Sequence, residues 1–506
     1  MPNSRYDVAI VGGGHNGLVA ATYLALAGKR VVVLERLENV GGAAVSANAF
    51  AGLDARLSRY SYLVSLLPAR VIDDLGLDIR LIRRRFSSYT PRGDRGILID
   101  RADAAASALG SDSLAWNRFY DGTSRAARAL FPTVTEPLLT RTEARAAVGD
   151  DGVWNDLIEN PIGSAIEREF SDDTVRGIVL TDALIGTFAP NVDESLAANR
   201  CFLYHVIGNG TGDWDVPVGG MGAVTGELYR AARTAGATFL TNAEVTSITP
   251  DGEISYGDGS SLVADTVLAN VAPSVLERLV TGTPGPRPEG AQVKVNLLLS
   301  RLPRLKDATV DPAAAFGGTF HVNESWSQLS TAYDTASAGS IPTPLPLEIY
   351  CHSLSDPSIL GPSLQASGAQ TITVFGLHTP DRLVDASNND AQRAALQQAA
   401  IDSLNSVLAE PIEDLVLTDA TGRPTIETKT TLDLEGALAM PGGNIFHGPL
   451  SWPFLEDDAP VATSAERWGV ATRWSRILLC GSGAQRGGAV SGLGGHNAAM
   501  AVLETS

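Results

Sequence analysis

The sequence predicts an α/β fold: a Rossmann-like, three-layer domain assembled from separated stretches, plus a mixed β-sheet domain with a helical insertion. Three observations carry this. The 506-residue chain opens on a short apolar run, Val8 to Val11, followed by a glycine-rich turn, a helix-compatible run from Leu18 to Ala27 and a second strand-like run from Arg30 to Leu34. A strand-like run, a glycine-rich turn and a helix-like run recur at the end, from Arg476 to Leu503. Between them lie a long helical stretch and a separate series of strand-like runs.

The opening unit has a specific chemistry. In Gly12-x-Gly14-x-x-Gly17, Gly12 allows the tight turn, Gly14 lets backbone N–H groups approach a pyrophosphate, and Gly17 lets helix and strand pack closely. The phosphates then sit at the positive end of the helix dipole. His15 and Asn16 lie within this turn, and His15 is read as its cap. Gly28 stops the helix. Glu35 follows Gly17 by 18 residues, where a carboxylate accepts ribose hydroxyls and repels a 2′-phosphate. Arg36 comes next, and then the doublet Gly41-Gly42 and Ala43, which lets the chain pass close to a longer cofactor. This Glu-x-x-x-x-x-Gly-Gly pattern resembles the FAD-binding signature of the amine oxidase and phytoene desaturase superfamily, which implies FAD rather than NAD.

Composition narrows the function classes. The length suggests about two to four domains or subdomains. A hydrophobic content of 44% with 19% charged residues is that of a globular protein. The net charge of −19 argues against nucleic acid and against docking on anionic lipid, and otherwise leaves peripheral membrane contact open. Residues 8 to 28 are apolar, but glycines, His15 and Asn16 interrupt them and Asp7 precedes them, so a leader or membrane anchor is not expected. A cytoplasmic location is. The cysteines, Cys201, Cys351 and Cys480, are far apart and read as buried thiols. The 7 histidines lack metal-ligand spacing, so no metal is expected.

Taken in order, residues 1–70, 213–285 and 436–506 are expected to form the discontinuous cofactor domain, 71–212 a helical insertion or lid, and 286–435 a sheet-based substrate domain. The resemblance to that superfamily, in which the chain after the doublet runs along the flavin, implies that Tyr60 and Ser61 lie near its ring; the residues alone read equally as the start of a helix packing its apolar face. Arg80, Arg83, Arg84 and Arg85 read as a solvated basic face. Helices are expected over Ala104 to Leu109, Leu114 to Phe131, Glu143 to Val148 and Asp172 to Leu184, the last starting at Ser171-Asp-Asp-Thr. After Pro217-Val-Gly-Gly-Met221 come a helix from Ala223 to Ala235 and strands to Ile248. Asp251-Gly252 and Asp258-Gly259 read as hairpin turns, and a strand from Ala264 to Asn270 follows. In the second domain, Val293 to Leu299, Gly318 to Val322, Leu347 to Tyr350 and Thr371 to Leu377 are strand-like. Asp390 to Leu408 is helical, and Glu324 to Pro346 reads as loop. Trp452 and Phe454 are expected to line an elongated apolar cavity. The last turn, with Gly481, Ser482, Val490 and Ser491, opens a helix whose N–H donors can stabilise negative charge, and His496 is read as that helix's cap.

These pieces together resemble phytoene desaturase-related flavoproteins and are similar to the pyridine nucleotide-disulfide oxidoreductase domain-containing protein 2 type. The likeness rests on the segments at 12–21, 41–42, 62–67, 217–222, 268–273, 442–448 and the closing helix, in order along nearly the whole chain. It implies FAD held by Gly12, Gly14, Gly17, Glu35, Gly42, the backbone of Val245 and the 481–492 segment. His15, Asn16, Arg36, Gly41, Ala43 and Asn270 are the neighbouring candidates. It further implies desaturation, saturation or isomerisation of an apolar, polyene- or lipid-like substrate. One departure is Gln485-Arg486, where such proteins usually carry a His-Pro pair. Arg486 is therefore a candidate to bring positive charge near the cofactor or a polar substrate group.

The expected chemistry is hydride transfer from carbon, for which the protein orients the substrate and excludes water. His447 and Tyr60 are the candidate catalytic residues, with a structural role for His447 as the alternative. Two other readings stay open on the same fold: a flavin amine oxidase, and a non-catalytic escort protein. No second dinucleotide motif follows residue 42, so no separate nicotinamide domain is expected.

Overall fold

The computed structural model describes residues 4–103 and 106–505. Its first sheet is built around the strand Ser4–Val11, which pairs in parallel with Val31–Leu34 on one side and Ser260–Ala269 on the other. Thr238–Leu240 extends the sheet in parallel beyond Val31–Leu34. The long strand Ser260–Ala269 serves two partners. Its first half pairs with the antiparallel hairpin Val245–Ile248 and Glu253–Tyr256, and its last residues pair in parallel with Ile477–Leu479. Three distant chain segments therefore meet in one sheet. Parallel strands covered on both faces read as unbroken apolar runs, and Val31, Val32, Val33 and Leu34 are all buried. The helices His15–Leu26 and Leu493–Glu504 cross beside this sheet, with Tyr23 edge-on to His496 at 5.1 Å. The Rossmann-like sheet of the expected fold class is thus assembled from separated stretches of the chain.

The second sheet has seven strands in the order Ile426–Lys429, Val293–Leu299, Gln370–Gly376, Leu347–Tyr350, Thr319–Val322, Phe86–Arg92 and Arg95–Asp100. All neighbours are antiparallel except Thr319–Val322 against Phe86–Arg92. One face is mainly apolar and packs with the helix Asn389–Asn405 through Leu396, Ala400 and Leu404.

Two expectations change. Residues 86–100, inside the stretch read as helical, form a hairpin that joins the second sheet. Ser88, Tyr89 and Thr90 are all buried there, so no alternating pattern marks the strand in the sequence. The stretch 324–346 is not a loop: Trp326–Ser337 is a helix, started by a capping box in which Ser325 and Gln328 exchange hydrogen bonds. The prolines that suggested a loop lie after it. The insertion is otherwise helical, with Ser113–Leu130, Arg141–Val148 and Asp173–Thr181 among its helices. Asp172 caps the last, accepting from the Thr174 and Val175 N–H groups. Of the run Ala104 to Leu109, residues 104 and 105 lie outside the described ones, and Ser107–Asp112 is a tight 3-10 turn. All three cysteines are buried and unpaired. No helix of the described residues is long and apolar enough to cross a membrane.

Candidate cofactor and substrate cavity

One cavity runs from the glycine turn of the first sheet to the polar face of the second. At its first end the turn is held by a dense local network. Gly12 adopts φ +102° and donates its N–H to the Leu34 carbonyl at 2.8 Å. The Asn270 amide donates to the Gly12 carbonyl at 2.8 Å, tying the end of Ser260–Ala269 to the turn. Glu35 is buried, and its carboxylate accepts the Gly13 N–H at 2.8 Å and the Leu37 N–H at 2.9 Å. One acceptor site on each oxygen is thus used by the loop, and the remaining lone pairs are available to a ribose. Gly41 donates to the Gly13 carbonyl at 2.8 Å, which stitches the doublet to the turn.

Most residues expected to hold the cofactor line this cavity: Gly12, Gly14, His15, Asn16, Glu35 and Arg36 at the turn, then Gly42, Ala43, Val245, Asn270, Ser482 and Val490 around it. Gly17, Gly41, Gly481 and Ser491 lie behind the wall and shape it. Ser491 accepts the Leu493 N–H, the first of the closing helix, at 3.2 Å. His15 caps nothing by its side chain; it is buried, its Nε2 has no partner among the described residues, and burial pulls its pKa down to about 4. His496 likewise is no cap. It sits one turn into the closing helix, between Tyr23 and Trp468, bonded to Asn497.

The site therefore fits a dinucleotide. Unpartnered buried polar atoms at His15 and Asn16, a carboxylate at the ribose position and a glycine approach between Gly14 and Gly42 converge on one end. Glu35→Gln, which keeps the shape and removes the charge, is expected to weaken dinucleotide binding by roughly 1.5–3 kcal/mol; a titration of cofactor into stripped protein checks this.

Tyr60 and His447 both border the cavity. Tyr60 is half-buried, which raises its phenol pKa, and lies 5.7 Å from the Lys429 ammonium. His447 is held at φ +64° in its glycine-flanked loop, with Nδ1 unpartnered and its pKa lowered to about 4 by burial. At neutral pH it is an imidazole that accepts a hydrogen bond or a proton, not a stored acid.

The aromatic expectation is corrected. Trp452 and Phe454 stack on each other at 5.8 Å and pack into the core of the insertion against Trp154, away from the cavity. Tyr62, Trp214, Tyr350, Phe375 and Phe446 line the cavity instead. Arg486 is also displaced from its expected role. It is 1% exposed and donates to the carbonyls of Thr133, Glu136 and Trp468, outside the cavity lining.

Sequence reasoning missed the polar face of the second sheet. Cross-strand register places Lys294, Phe375, Glu348 and His321 in one row on that face, each residue paired with the next. The Lys294 ammonium donates to the Ser58 carbonyl at 2.9 Å and to the Tyr60 carbonyl, and lies 4.8 Å from the Tyr62 ring. Burial lowers its pKa well below the ordinary lysine range. The signal was present: lysine within Val293-Lys-Val-Asn-Leu, and glutamate within Leu347-Glu-Ile-Tyr, are charges at alternate positions of otherwise apolar strands.

A sequence profile described as an NAD(P)-binding Rossmann-like domain matches residues 10–69. Over 520 aligned residues the chain is 54% identical to Uncharacterized protein Rv0897c of Mycobacterium tuberculosis, covering 98% of this chain and 97% of that one. It is 28% identical to pyridine nucleotide-disulfide oxidoreductase domain-containing protein 2 of Mus musculus, covering 99% of this chain and 93% of the mouse protein. A structure of putrescine oxidase superposes with a TM-score of 0.61 over 100% of both chains at 17% identity, which establishes a common fold. The chain belongs to one family with the mycobacterial protein Rv0897c, and its fold is that of oxidoreductases such as putrescine oxidase.

Proposed function

We propose that the protein binds FAD and uses it to oxidise or reduce carbon–carbon bonds of a hydrophobic, polyene- or lipid-like small molecule. The observation that carries this reading is the continuity of one cavity from the Glu35 carboxylate to an aromatic chamber on the second sheet. A bound flavin supplies the hydride acceptor or donor. The chain's own residues do the rest. Glu35 and the glycine turn bind the adenosine end, and the loop before the closing helix faces the cavity through Ser482 and Val490. Lys294 clamps the Ser58 and Tyr60 carbonyls, so the segment carrying Tyr60, Ser61 and Tyr62 is fixed beside the substrate. Tyr62, Tyr350 and Phe375 exclude water from the reacting carbon. Neutral His447 is the group placed to accept a proton at the cavity wall.

A second reading, oxidation of an amine, is favoured by the two carboxyl groups of Asp182 and Glu348 in the same chamber and by the putrescine oxidase fold. One experiment separates them. Denaturing the purified protein is expected to release FAD, and the holoprotein is not expected to be reduced rapidly and stoichiometrically by NADH or NADPH. Anaerobic mixing with polyenes, retinoids and unsaturated lipids is expected to bleach the flavin. Bleaching by amines alone assigns the oxidase reading, and release of NAD in place of FAD overturns both.

A further inference from the structure

Arg84 carries an inference that the cofactor reading does not use. It follows the short strand Leu81–Ile82, is 7% exposed, and borders the chamber end of the cavity. Its guanidinium is fixed at two corners: Nε donates to the Trp214 carbonyl at 3.1 Å and Nη1 to the Thr319 hydroxyl at 3.1 Å. The plane lies 5.5 Å from the Tyr350 ring centre. Nη2 has no hydrogen-bond partner among the described residues, and no carboxylate among them comes within 4.0 Å of the group. Its sequence neighbours behave differently. Arg83 pairs with Asp213 and Asp215, and Arg85 with Asp100. A buried arginine with no carboxylate in contact is expensive to keep: the nearby Glu348 and Asp215 oppose its desolvation without outweighing it, and its pKa falls.

We propose that Arg84 holds the carboxylate of the substrate, which is therefore an apolar molecule with one anionic end, lying head-first on the second sheet and body toward the cofactor. This rests on the reading of the cavity as the oxidoreductase's substrate site. The remaining groups of the chamber fit a carboxylate. Glu324 lies outside the cavity lining and is engaged by His321 at 2.6 Å. Glu348 accepts the Tyr350 hydroxyl on Oε1, while its Oε2 is buried and unpartnered. Burial pushes the Glu348 carboxyl up to about 8, so near neutral pH it favours the uncharged acid, and burial raises that of Asp182 in the same direction. A protonated Glu348 donates a hydrogen bond to an anion and offers no countercharge to an ammonium. Arg84 is left as the permanent charge of that end, and its free N–H groups supply a charge-assisted bond to the ligand.

Calorimetric titration of the purified holoprotein at pH 7 with decanoate, decanol and decylamine tests this without using turnover. Decanoate is expected to bind about ten-fold or more tighter than decanol, as the loss of one charge-assisted hydrogen bond implies, with decylamine weakest. Arg84→Gln is expected to bring decanoate within about three-fold of decanol at unchanged flavin content, and Arg84→Lys to fall between, since a point charge replaces the planar fork. Decylamine binding as tightly as decanoate, or a full decanoate preference in Arg84→Gln, overturns the proposal. If either variant fails to fold, the ranking on the unmodified protein decides alone. Flavin content measured on the same samples keeps the outcomes apart: protein that carries no FAD yet prefers decanoate refutes the cofactor reading and leaves the anion site standing.

Discussion

Valine in place of Gly17 is expected to abolish cofactor retention and to destabilise the protein by about 3 kcal/mol. A Cβ at this position would stand 2.4 Å from the Gly12 carbonyl oxygen, 2.8 Å from the Asn270 amide nitrogen and 3.2 Å from Ile10. The first two are partners in one hydrogen bond, Asn270 Nδ2 donating to the Gly12 carbonyl at 2.8 Å. The side chain cannot enter without separating them or moving the first helix off the sheet. The cost therefore has two parts: overpacking against backbone, and a carbonyl left without its donor. The same bond sets the position of the glycine turn against Ser260–Ala269, so the cradle widens as it breaks. Urea unfolding and the flavin absorbance of the purified variant measure the two effects. A Gly17→Val protein that keeps wild-type flavin occupancy would refute the packing role.

The parts legible in the sequence are those whose requirements are local. The turn Gly12 to Gly17, the carboxylate at Glu35 and the doublet at Gly41 and Gly42 must occur within a few tens of residues, because one chain segment wraps one end of a dinucleotide. The strands Val293–Leu299 and Leu347–Tyr350 were legible from their apolar runs alone. The chamber was not, since it exists only in register. Lys294, Phe375, Glu348 and His321 come from four strands, and a one-residue slip in any of them would turn its side chain to the opposite face. Trp452 and Phe454 misled for a related reason. A proline-bearing aromatic loop looks like cavity wall, but the insertion needed large side chains to complete its own core around Trp154. In the basic cluster, Arg83 and Arg85 face solvent and pair with nearby acids, whereas Arg84 points inward. Side-chain alternation near a short strand decides that, and charge counting cannot.

Alanine in place of Arg486 is expected to cost about 4 kcal/mol of stability while leaving the spectrum of bound flavin unchanged. Arg486 is among the largest fully buried side chains. Its Nη1 donates to the Thr133 carbonyl at 3.0 Å and the Glu136 carbonyl at 2.6 Å, and its Nη2 to the Trp468 carbonyl at 3.3 Å. The first two carbonyls belong to the turn at the end of the insertion's long helix Ser113–Leu130, and the third ends the short helix Ser464–Arg467 that precedes the closing strand Ile477–Leu479 of the first sheet. One guanidinium thus fastens the helical insertion to the cofactor domain from behind the cavity wall. Burial lowers its pKa to about 10, which still leaves it charged at neutral pH. Truncation removes the donor from three backbone acceptors together and leaves a void of side-chain size, and lysine cannot repair this because one ammonium does not span three carbonyls in the geometry of a planar fork. Thermal and urea unfolding of Arg486→Ala, with limited proteolysis of the insertion, are expected to report a loosened attachment. A variant that keeps full stability but shifts the flavin absorption would instead place Arg486 against the cofactor and remove its role as the fastening of the two domains.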